Sequence, residues 1–287
     1  MSMTRLERNE TLIRFGLLMI AFSAVSVLAV ITVFIFREGT PIMVKYGLGK
    51  FLLGMDWYPS EKSFGLLPMI VGSLAVTAGS LCISIPLGLA CAVFLTEFST
   101  KGVRRIVKPM IELLAGIPSV VYGFMGVIIL VPFIRETMGG PGLSVLAASI
   151  VLGIMVLPTI LSISIDSLEA VPRAYREGSI ALGATRWQTT RMVMIPAAKS
   201  GIIASVILGM GRAVGETMAV IMVAGNAAAI PDSITAPVRT LTSNIALEMG
   251  YASGEHREAL FATGVILFVI IMILNTAANL TSMRRKP

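Results

Sequence analysis

Arg212 and Glu216 are the residues whose types and spacing point most directly to chemistry. Both lie inside a long apolar run, where a charged side chain costs about 2.5–3.5 kcal/mol and normally faces a pathway or a partner. On an α-helix, residues four positions apart share one face and can form an ion pair. An arginine fork matches phosphate or carboxylate oxygens and stays charged at any working pH. The pair therefore predicts a path for an anionic substrate, in which Glu216 holds the guanidinium when substrate is absent.

The alternative role for this pair is structural glue at a helix interface. Gly211 and Gly215 form a G-x-x-x-G step around Arg212, and such a step lets another helix approach closely. Glue seldom needs an arginine, because serine or threonine can hydrogen-bond between helices at lower cost. We therefore favour a role in the substrate pathway over a purely structural role at a helix interface.

A second candidate region is ELLAGIPSVVYGFMG, which starts at Glu112. Gly116 and Pro118 lie close together, so a helix is expected to break near Ile117. Breaks at membrane depth are tolerated where the backbone lines a cavity or packs on protein. Glu112, Gly116 and Pro118 are therefore a candidate helix break or gate, although Glu112 could equally be an anchoring carboxylate at the membrane boundary.

The composition predicts an all-α membrane protein. The chain is 55% hydrophobic and 14% charged, with a mean hydropathy of +0.87, whereas globular chains carry about 25% charged residues. Runs of roughly 20 apolar residues predict spanning helices, and we expect six, at about 13–36, 67–96, 108–134, 142–166, 200–226 and 259–280. The first run is too long for a cleaved signal peptide, so we expect a retained helix.

Lysine and arginine predict the orientation of these helices, because basic residues concentrate in cytoplasmic loops. One side of the expected topology carries most of them, namely Arg5, Arg8, Arg14, Lys101, Arg104, Arg105, Lys108, Arg173, Arg176, Arg186, Arg191, Lys199, Arg284, Arg285 and Lys286. Both termini and the segment around Glu177 are therefore expected to be cytoplasmic. This asymmetry and anionic membrane lipid explain the net charge of +7, which does not indicate nucleic-acid binding.

The polar segment EGSIALGATRWQTTRMVMIP, from Glu177 to Pro196, lies between two predicted spans. It resembles the EAA motif of ABC-importer permeases, E-A-A-x-x-x-G-x9-I-x-L-P. The residues on the consensus spacing are Glu177, Gly178, Ser179, Gly183, Val193, Ile195 and Pro196. The resemblance implies a short coupling helix in a groove of a separate ATPase subunit, and small residues such as Gly183 would allow close packing there.

The stretches GIPSVVYGF and GRAVGETMAV…GN resemble those of PstC-type phosphate permeases. With the EAA-like segment, the resemblance covers roughly half the chain. It implies a six-helix type I importer permease in a prokaryotic inner membrane, without a cofactor of its own. The implied partners are a PstA-like sister permease, an ATP-binding cassette ATPase dimer that uses the ATP, and an external phosphate-binding protein. Residues 1–66 would form an N-terminal helix and external loop, and 67–287 a five-helix core with the coupling loop at about 168–199.

Three alternatives stay open. A permease for sulfate or molybdate would also suit one arginine. A self-contained secondary carrier predicts internal repeats, and we find no convincing one. An intramembrane enzyme needs a Ser/His or paired-Asp constellation, but the chain has one histidine, His256, which we expect in an external loop. Cys82 and Cys91 with this histidine make no metal site, and no G-x-x-x-x-G-K-[ST] loop occurs for ATP.

Overall fold

The computed structural model describes residues 5–283. Arg284, Arg285 and Lys286, which contribute to the expected orientation, lie outside the described residues. Helices dominate, as the apolar runs predict. In chain order they are α1 (Arg5–Tyr46), α2 (Leu48–Leu53), α3 (Leu67–Val93), α4 (Lys101–Ala115), α5 (Ser119–Met125), α6 (Val131–Met138), α7 (Val145–Glu169), α8 (Arg173–Ala181), α9 (Arg186–Thr189), α10 (Ile195–Ala197), α11 (Lys199–Gly215), α12 (Met218–Val223), α13 (Leu241–Glu248) and α14 (Gly254–Met283).

Short π-helical turns continue three of these helices, at Phe94–Phe98, Gly126–Leu130 and Thr190–Met194. Two short strands, β1 (Trp57–Tyr58) and β2 (Ser63–Phe64), form an antiparallel hairpin after α2. The hairpin encloses a 3₁₀ turn at Pro59–Glu61, and Lys62 closes it in a left-handed conformation at φ 56°.

Among the described residues, five helices are long and apolar enough to cross a membrane: Ile13–Tyr46, Leu67–Phe98, Ser119–Met138, Val145–Glu169 and Gly254–Ala278. A sixth span results if Arg186–Ala197 and Lys199–Gly215, which meet at a 68° bend, count as one. The expected number of spans is thus reached, but several bounds were wrong. The first span ends at Tyr46 rather than 36, and the bent pair starts at Arg186 rather than 200. The third span starts at Ser119 rather than 108, and helix α11 of the fifth ends at Gly215 rather than 226.

The core forms where α3, α7 and α11 pack together. Small residues allow this close approach, because a Cβ at Gly79 of α3 would lie 2.3 Å from Ser149 Oγ of α7. About four turns further along α7, the Ser164 and Ser205 hydroxyls are 3.0 Å apart, which joins α7 to α11. Such small and hydroxyl side chains are the usual contacts between helices in a membrane. α7 is therefore the central helix against which the others are positioned.

The segment after the first apolar run is ordered rather than a simple loop. α1 continues to Tyr46, and near this end it packs on α14, where a Cβ at Gly39 would lie 2.7 Å from the Ala262 backbone nitrogen. Phe51 of α2 and Trp57 of the hairpin are buried in a hydrophobic cluster with residues of α14. From Ile13 to this contact, most side chains of α1 are exposed, as those of a lipid-facing helix would be.

Candidate functional site

The helix that carries Arg212 ends one turn later, at Gly215. Glu216 has an extended backbone, with φ −69° and ψ 131°, and α12 begins only at Met218. The expectation that Arg212 and Glu216 lie on one face of a continuous helix is therefore wrong. The chain breaks between them and restarts in a new direction.

Glu216 fixes this break instead of pairing with Arg212. Its carboxylate Oε1 accepts a hydrogen bond from the Ala219 backbone N–H at 3.2 Å, so it caps the start of α12. Its backbone carbonyl accepts a hydrogen bond from Thr242 Oγ1 at 2.9 Å, which ties the break to α13. A side-chain acceptor at a helix start satisfies backbone N–H groups that have no partner within the helix.

Arg212 is exposed and makes no ion pair or hydrogen bond within residues 5–283. Its positive charge lies within electrostatic reach of the Tyr122 hydroxyl on α5. An unpaired guanidinium in an apolar span is costly unless water or an anion reaches it. The position is therefore suited to an anion that arrives from elsewhere.

A second break lies in the stretch that begins at Glu112. α4 ends at Ala115, Gly116 caps it, and α5 begins at Ser119 after the extended residue Pro118. The Tyr122 hydroxyl donates to the Leu114 carbonyl at 2.8 Å and so bridges the break. We did not single out Tyr122 from the sequence, although it lies inside the quoted motif GIPSVVYGF.

The two breaks lie side by side, because α5 packs directly on α12. A Cβ at Gly123 would lie 2.8 Å from Met222 Sδ and 3.0 Å from Ala219 Cα. The start of α12, capped by Glu216, therefore lies against α5 one residue after Tyr122. Broken helices in membrane proteins commonly form substrate sites in this way, since their ends offer polar backbone groups at membrane depth.

Glu112 was expected to lie at the start of the third span, but it belongs to the separate helix α4. It is exposed and lines a shallow groove of about 370 Å³ with Arg104, Arg105 and Lys108. Of the two alternatives from the sequence, this basic surrounding fits an anchoring carboxylate better than a gate.

The EAA-like segment forms two short helices joined by a tight turn. After α8, Gly183 adopts φ +85°, its N–H donates to the Ile180 carbonyl at 2.9 Å, and the Ala184 N–H donates to the Ser179 carbonyl at 3.2 Å. This pair of hydrogen bonds is a Schellman motif, in which the residue after the helix takes a left-handed conformation that glycine adopts without strain. Gly183 is therefore needed to end α8 in a left-handed turn, whether or not a partner binds here.

The other consensus residues of this segment face outwards or join its helices. Glu177 lies in the middle of α8, exposed and without a hydrogen bond in the described part of the chain, so it does not cap this helix. A Cβ at Gly178 would meet nothing within 4 Å. The Ser179 and Thr189 hydroxyls are 3.0 Å apart and connect α8 to α9. Pro196 lies in α10, just before the 68° bend.

Large apolar side chains are exposed on the same segment. Leu182 is 91% exposed, and Tyr175, Ile180, Trp187 and Met192 are also exposed. The polar residues between them rule out a lipid-buried helix, because α8 alternates apolar side chains with arginines and Glu177. Exposed apolar patches mark interaction surfaces.

Ion pairs attach this segment to the end of the helical bundle. Arg176 of α8 pairs with Glu97, whose side chain is only 6% exposed. Arg104 of α4 pairs with Glu169 at the end of α7. Because Glu97 follows directly on α3, a movement of the end of α3 reaches α8 through the Arg176–Glu97 pair.

At the opposite end of the chain's fold, Glu248 accepts hydrogen bonds from several side chains. Its carboxylate lies 2.7 Å from Arg239 Nη1, 2.8 Å from Trp57 Nε1 and 2.8 Å from His256 Nε2. Glu248 is 7% exposed, and its charge is balanced by Arg239. This network joins the hairpin to α13 and α14, and His256 lies in the first turn of α14 rather than in a loop.

No group of three or more metal-ligating side chains occurs among residues 5–283. Cys82 and Cys91 are free thiols. The chemistry of the described site is therefore that of a cation and a set of helix ends, which suits the passage of an anion.

Comparison with known protein families identifies the family of this chain. Residues 84–286 match the family described as binding-protein-dependent transport system inner membrane component. The chain belongs to this family. It is therefore a permease, a multi-pass inner-membrane component of a transport system that also uses a separate binding protein. This result excludes the secondary carrier and the intramembrane enzyme and confirms that the chain is a transporter subunit, not an enzyme.

Similar curated proteins bear out the resemblance drawn from the motifs. The permease is 44% identical to the probable ABC transporter permease protein YqgH of Bacillus subtilis, over 94% of this chain and 88% of that protein. It is 36% identical to the phosphate transport system permease protein PstC of Mesorhizobium japonicum, over 98% and 94% of the two chains. It is 37% identical to PstC of Pasteurella multocida, over 82% and 79%.

Solved structures show the same fold at low sequence identity. The permease superposes on a chain of the inward-facing MetNI methionine ABC transporter with a TM-score of 0.60 at 20% identity, covering 77% of this chain and 98% of that chain. It superposes on a chain of a bacterial ABC transporter that imports alginate with a TM-score of 0.63 at 16% identity, covering 98% and 100%. The type I ABC-importer permease fold is thus confirmed.

Proposed function

We propose that this permease is the phosphate-conducting membrane subunit of an ATP-driven importer. The observation that carries the proposal is that Arg212, which has no ion-pair partner in the described part of the chain, lies beside two adjacent helix breaks. A guanidinium fork suits a tetrahedral oxyanion, and curated relatives of nearly the same length are phosphate permeases. The permease itself performs no covalent step and binds no cofactor.

Substrate passage takes place at the break between α11 and α12. Arg212 meets the oxyanion there, while Glu216 holds the start of α12 and Tyr122 holds the end of α4. Gly116 and Pro118 let the chain bend at the second break, between α4 and α5, and we assign them the role of a gate for the substrate there. Because both breaks are braced by hydrogen bonds, a shift of α5 against α12 changes access to Arg212.

Coupling to ATP hydrolysis takes place through the segment Glu177–Pro196. We assign the exposed patch around Leu182 to a groove on an ATP-binding cassette ATPase, and the free Glu177 carboxylate to a basic residue of that partner. Both termini and this segment are cytoplasmic, in line with the lysine and arginine distribution. ATP is bound and hydrolysed on the partner chains.

The remaining partners follow from the surfaces that the chain leaves open. A Cβ at Gly211 or Gly215 would meet nothing within 4 Å, so the G-x-x-x-G step next to Arg212 is available to a PstA-like sister permease. An external phosphate-binding protein delivers substrate. Residues 1–66 form the N-terminal helix and external segment, and 67–287 form the five-helix core with the coupling loop at about 168–199.

Uptake by the assembled importer tests this function. The permease is co-expressed with the sister permease, ATPase and binding protein that co-purify with it, and the complex is reconstituted in vesicles. We expect ATP-dependent uptake of phosphate and no comparable uptake of sulfate or molybdate. Uptake of sulfate or molybdate in preference to phosphate would contradict the substrate assignment while leaving the importer class intact.

A matched pair of variants tests the coupling surface. Leu182→Asp places a charge in the exposed patch, whereas Leu53→Asp changes an exposed leucine at the other end of the fold. We expect Leu182→Asp to lose ATPase association and Leu53→Asp to retain it. Full ATPase association and uptake in Leu182→Asp would contradict the assignment.

A further inference from the structure

A polar cavity of about 340 Å³ lies at the root of the coupling segment, where α4, the end of α7 and the start of α8 meet. Its charged lining consists of Arg104, Glu169, Arg173 and Arg176, and Thr96 adds a hydroxyl. We call it the arginine cavity. A water molecule occupies about 30 Å³, so the cavity has room for a phosphate group and several waters.

The charges of the arginine cavity do not cancel. Arg104 pairs with Glu169, and Arg176 pairs with Glu97 just behind the lining. Arg173 is exposed and makes no ion pair within residues 5–283. The three guanidinium groups thus face two carboxylates, which leaves the cavity with a net positive charge.

A buried donor without an acceptor also points to a ligand. The Nε atom of Arg176 is buried and has no hydrogen-bond partner in the described part of the chain. A buried N–H that stays unpaired costs about 1–3 kcal/mol, so a rotation of the Arg176 side chain, which is 42% exposed as a whole, that turns this donor toward a ligand would be favoured. Arg173 is in addition the first residue of α8, where free backbone N–H groups and the helix dipole favour an anion.

We propose that the arginine cavity binds a phosphate group on the cytoplasmic side of the permease. The occupant is either free inorganic phosphate or the headgroup phosphate of an anionic lipid, since both present the same oxygens to the arginine forks. The binding itself does not depend on which anion is transported. Only the effect of bound phosphate on the coupling segment rests on the proposed coupling role of α8.

Occupancy would change how α8 is attached. A phosphate oxygen that binds Arg176 competes with Glu97 for the same guanidinium, and this ion pair joins the end of α3 to α8. Trp187 of α9 lies next to this contact, because its ring centroid is 6.4 Å from that of Phe98. A ligand in the arginine cavity therefore shifts the coupling segment and the surroundings of Trp187.

Tryptophan fluorescence can detect this binding directly. The chain has two tryptophans, so Trp57→Phe leaves Trp187 as the only one. This full-length variant is placed in nanodiscs of zwitterionic phosphatidylcholine and titrated with inorganic phosphate at constant ionic strength, with potassium chloride as the salt control. We expect a saturable change in Trp187 emission with phosphate and none with chloride.

Matched arginine variants locate the effect. Losing one charge-assisted hydrogen bond weakens binding by about tenfold or more, so Arg173→Gln should raise the half-saturating phosphate concentration by that factor. Arg105→Gln on α4, outside the cavity, should leave it unchanged. Arg212→Gln, which removes the proposed transport site, should also leave it unchanged, so that a failure of the transport proposal is distinguished from a failure of this one.

A lipid arm separates the two sources of phosphate. If the emission has already shifted in nanodiscs with phosphatidylglycerol and added phosphate has no further effect, the occupant is the lipid headgroup. If the phosphate response is the same in both lipids, the occupant is free phosphate. No saturable change in either lipid, or equal weakening by Arg105→Gln and Arg173→Gln, would overturn the proposal.

Discussion

The left-handed conformation of Gly183 leads to a prediction about the coupling segment. At φ +85°, alanine is strained by about 1–2 kcal/mol, whereas asparagine tolerates this region better. A Cβ at Gly183 would meet nothing within 4 Å in the chain itself. Backbone conformation therefore predicts that uptake is highest with glycine at position 183, lower with asparagine and lowest with alanine.

The opposite order follows if Gly183 serves only to let an ATPase approach closely. Asparagine is larger than alanine, so clearance would make Gly183→Asn the more damaging change. The strain in Gly183→Ala corresponds to a factor of about 5–30 in an equilibrium constant. Hydrogen exchange of the last α8 amides should accelerate by a factor in this range in Gly183→Ala and less in Gly183→Asn.

The control is Gly178→Ala in the same helix. Gly178 has ordinary helical backbone and open space around it, and alanine is favoured over glycine inside a helix by about 1 kcal/mol. Slower or unchanged exchange is expected in Gly178→Ala. Wild-type exchange and uptake in Gly183→Ala, together with loss in Gly183→Asn, would refute the backbone argument.

Three further predictions concern the orientation of the chain in the membrane, the cap that Glu216 forms on α12, and the hydrogen bonds of Glu248. In a chain without its native cysteines, Ser253→Cys should react with impermeant reagents from outside and Leu182→Cys only from the cytoplasm; the reverse pattern would overturn the orientation. Glu216→Gln keeps the oxygen that caps α12 and should retain uptake, whereas Glu216→Ala should reduce it; loss in both would restore the role of a counter-charge. Glu248→Gln removes a buried charge partner of Arg239 and should destabilise the chain by about 3–5 kcal/mol in thermal unfolding, whereas equal stability to the exposed control Glu61→Gln would contradict the network's role.

Local sequence signals predict the features that depend on local chemistry. Gly116 and Pro118 mark the break between α4 and α5 because proline cannot continue a helical hydrogen-bond ladder. The polar composition of Glu177–Pro196 likewise sets it apart from the spans. These signals act within a few residues, so the sequence alone suffices to place them.

The break at Glu216 has no such signal, and the apolar run predicted a continuous helix there. The structure stabilises it through Thr242, 26 residues away, and through packing of α12 on Gly123. The hydrogen bonds of Glu248 were not predicted either, because their partners are far apart in the sequence: Trp57 is 191 residues from Glu248. Tertiary contacts of this kind override helix propensity, and only the fold brings their partners together.

Uptake by Arg212 variants tests the central claim, that an unpaired arginine at the two helix breaks meets the transported oxyanion. Phosphate uptake is measured in vesicles that contain the assembled complex, with assembly verified for each variant and Arg14→Gln as an exposed control. The account predicts that Arg212→Gln abolishes uptake and that Arg212→Lys recovers little, because a point charge does not reproduce the bidentate fork. Uptake at the wild-type rate in an assembled Arg212→Gln importer would contradict it.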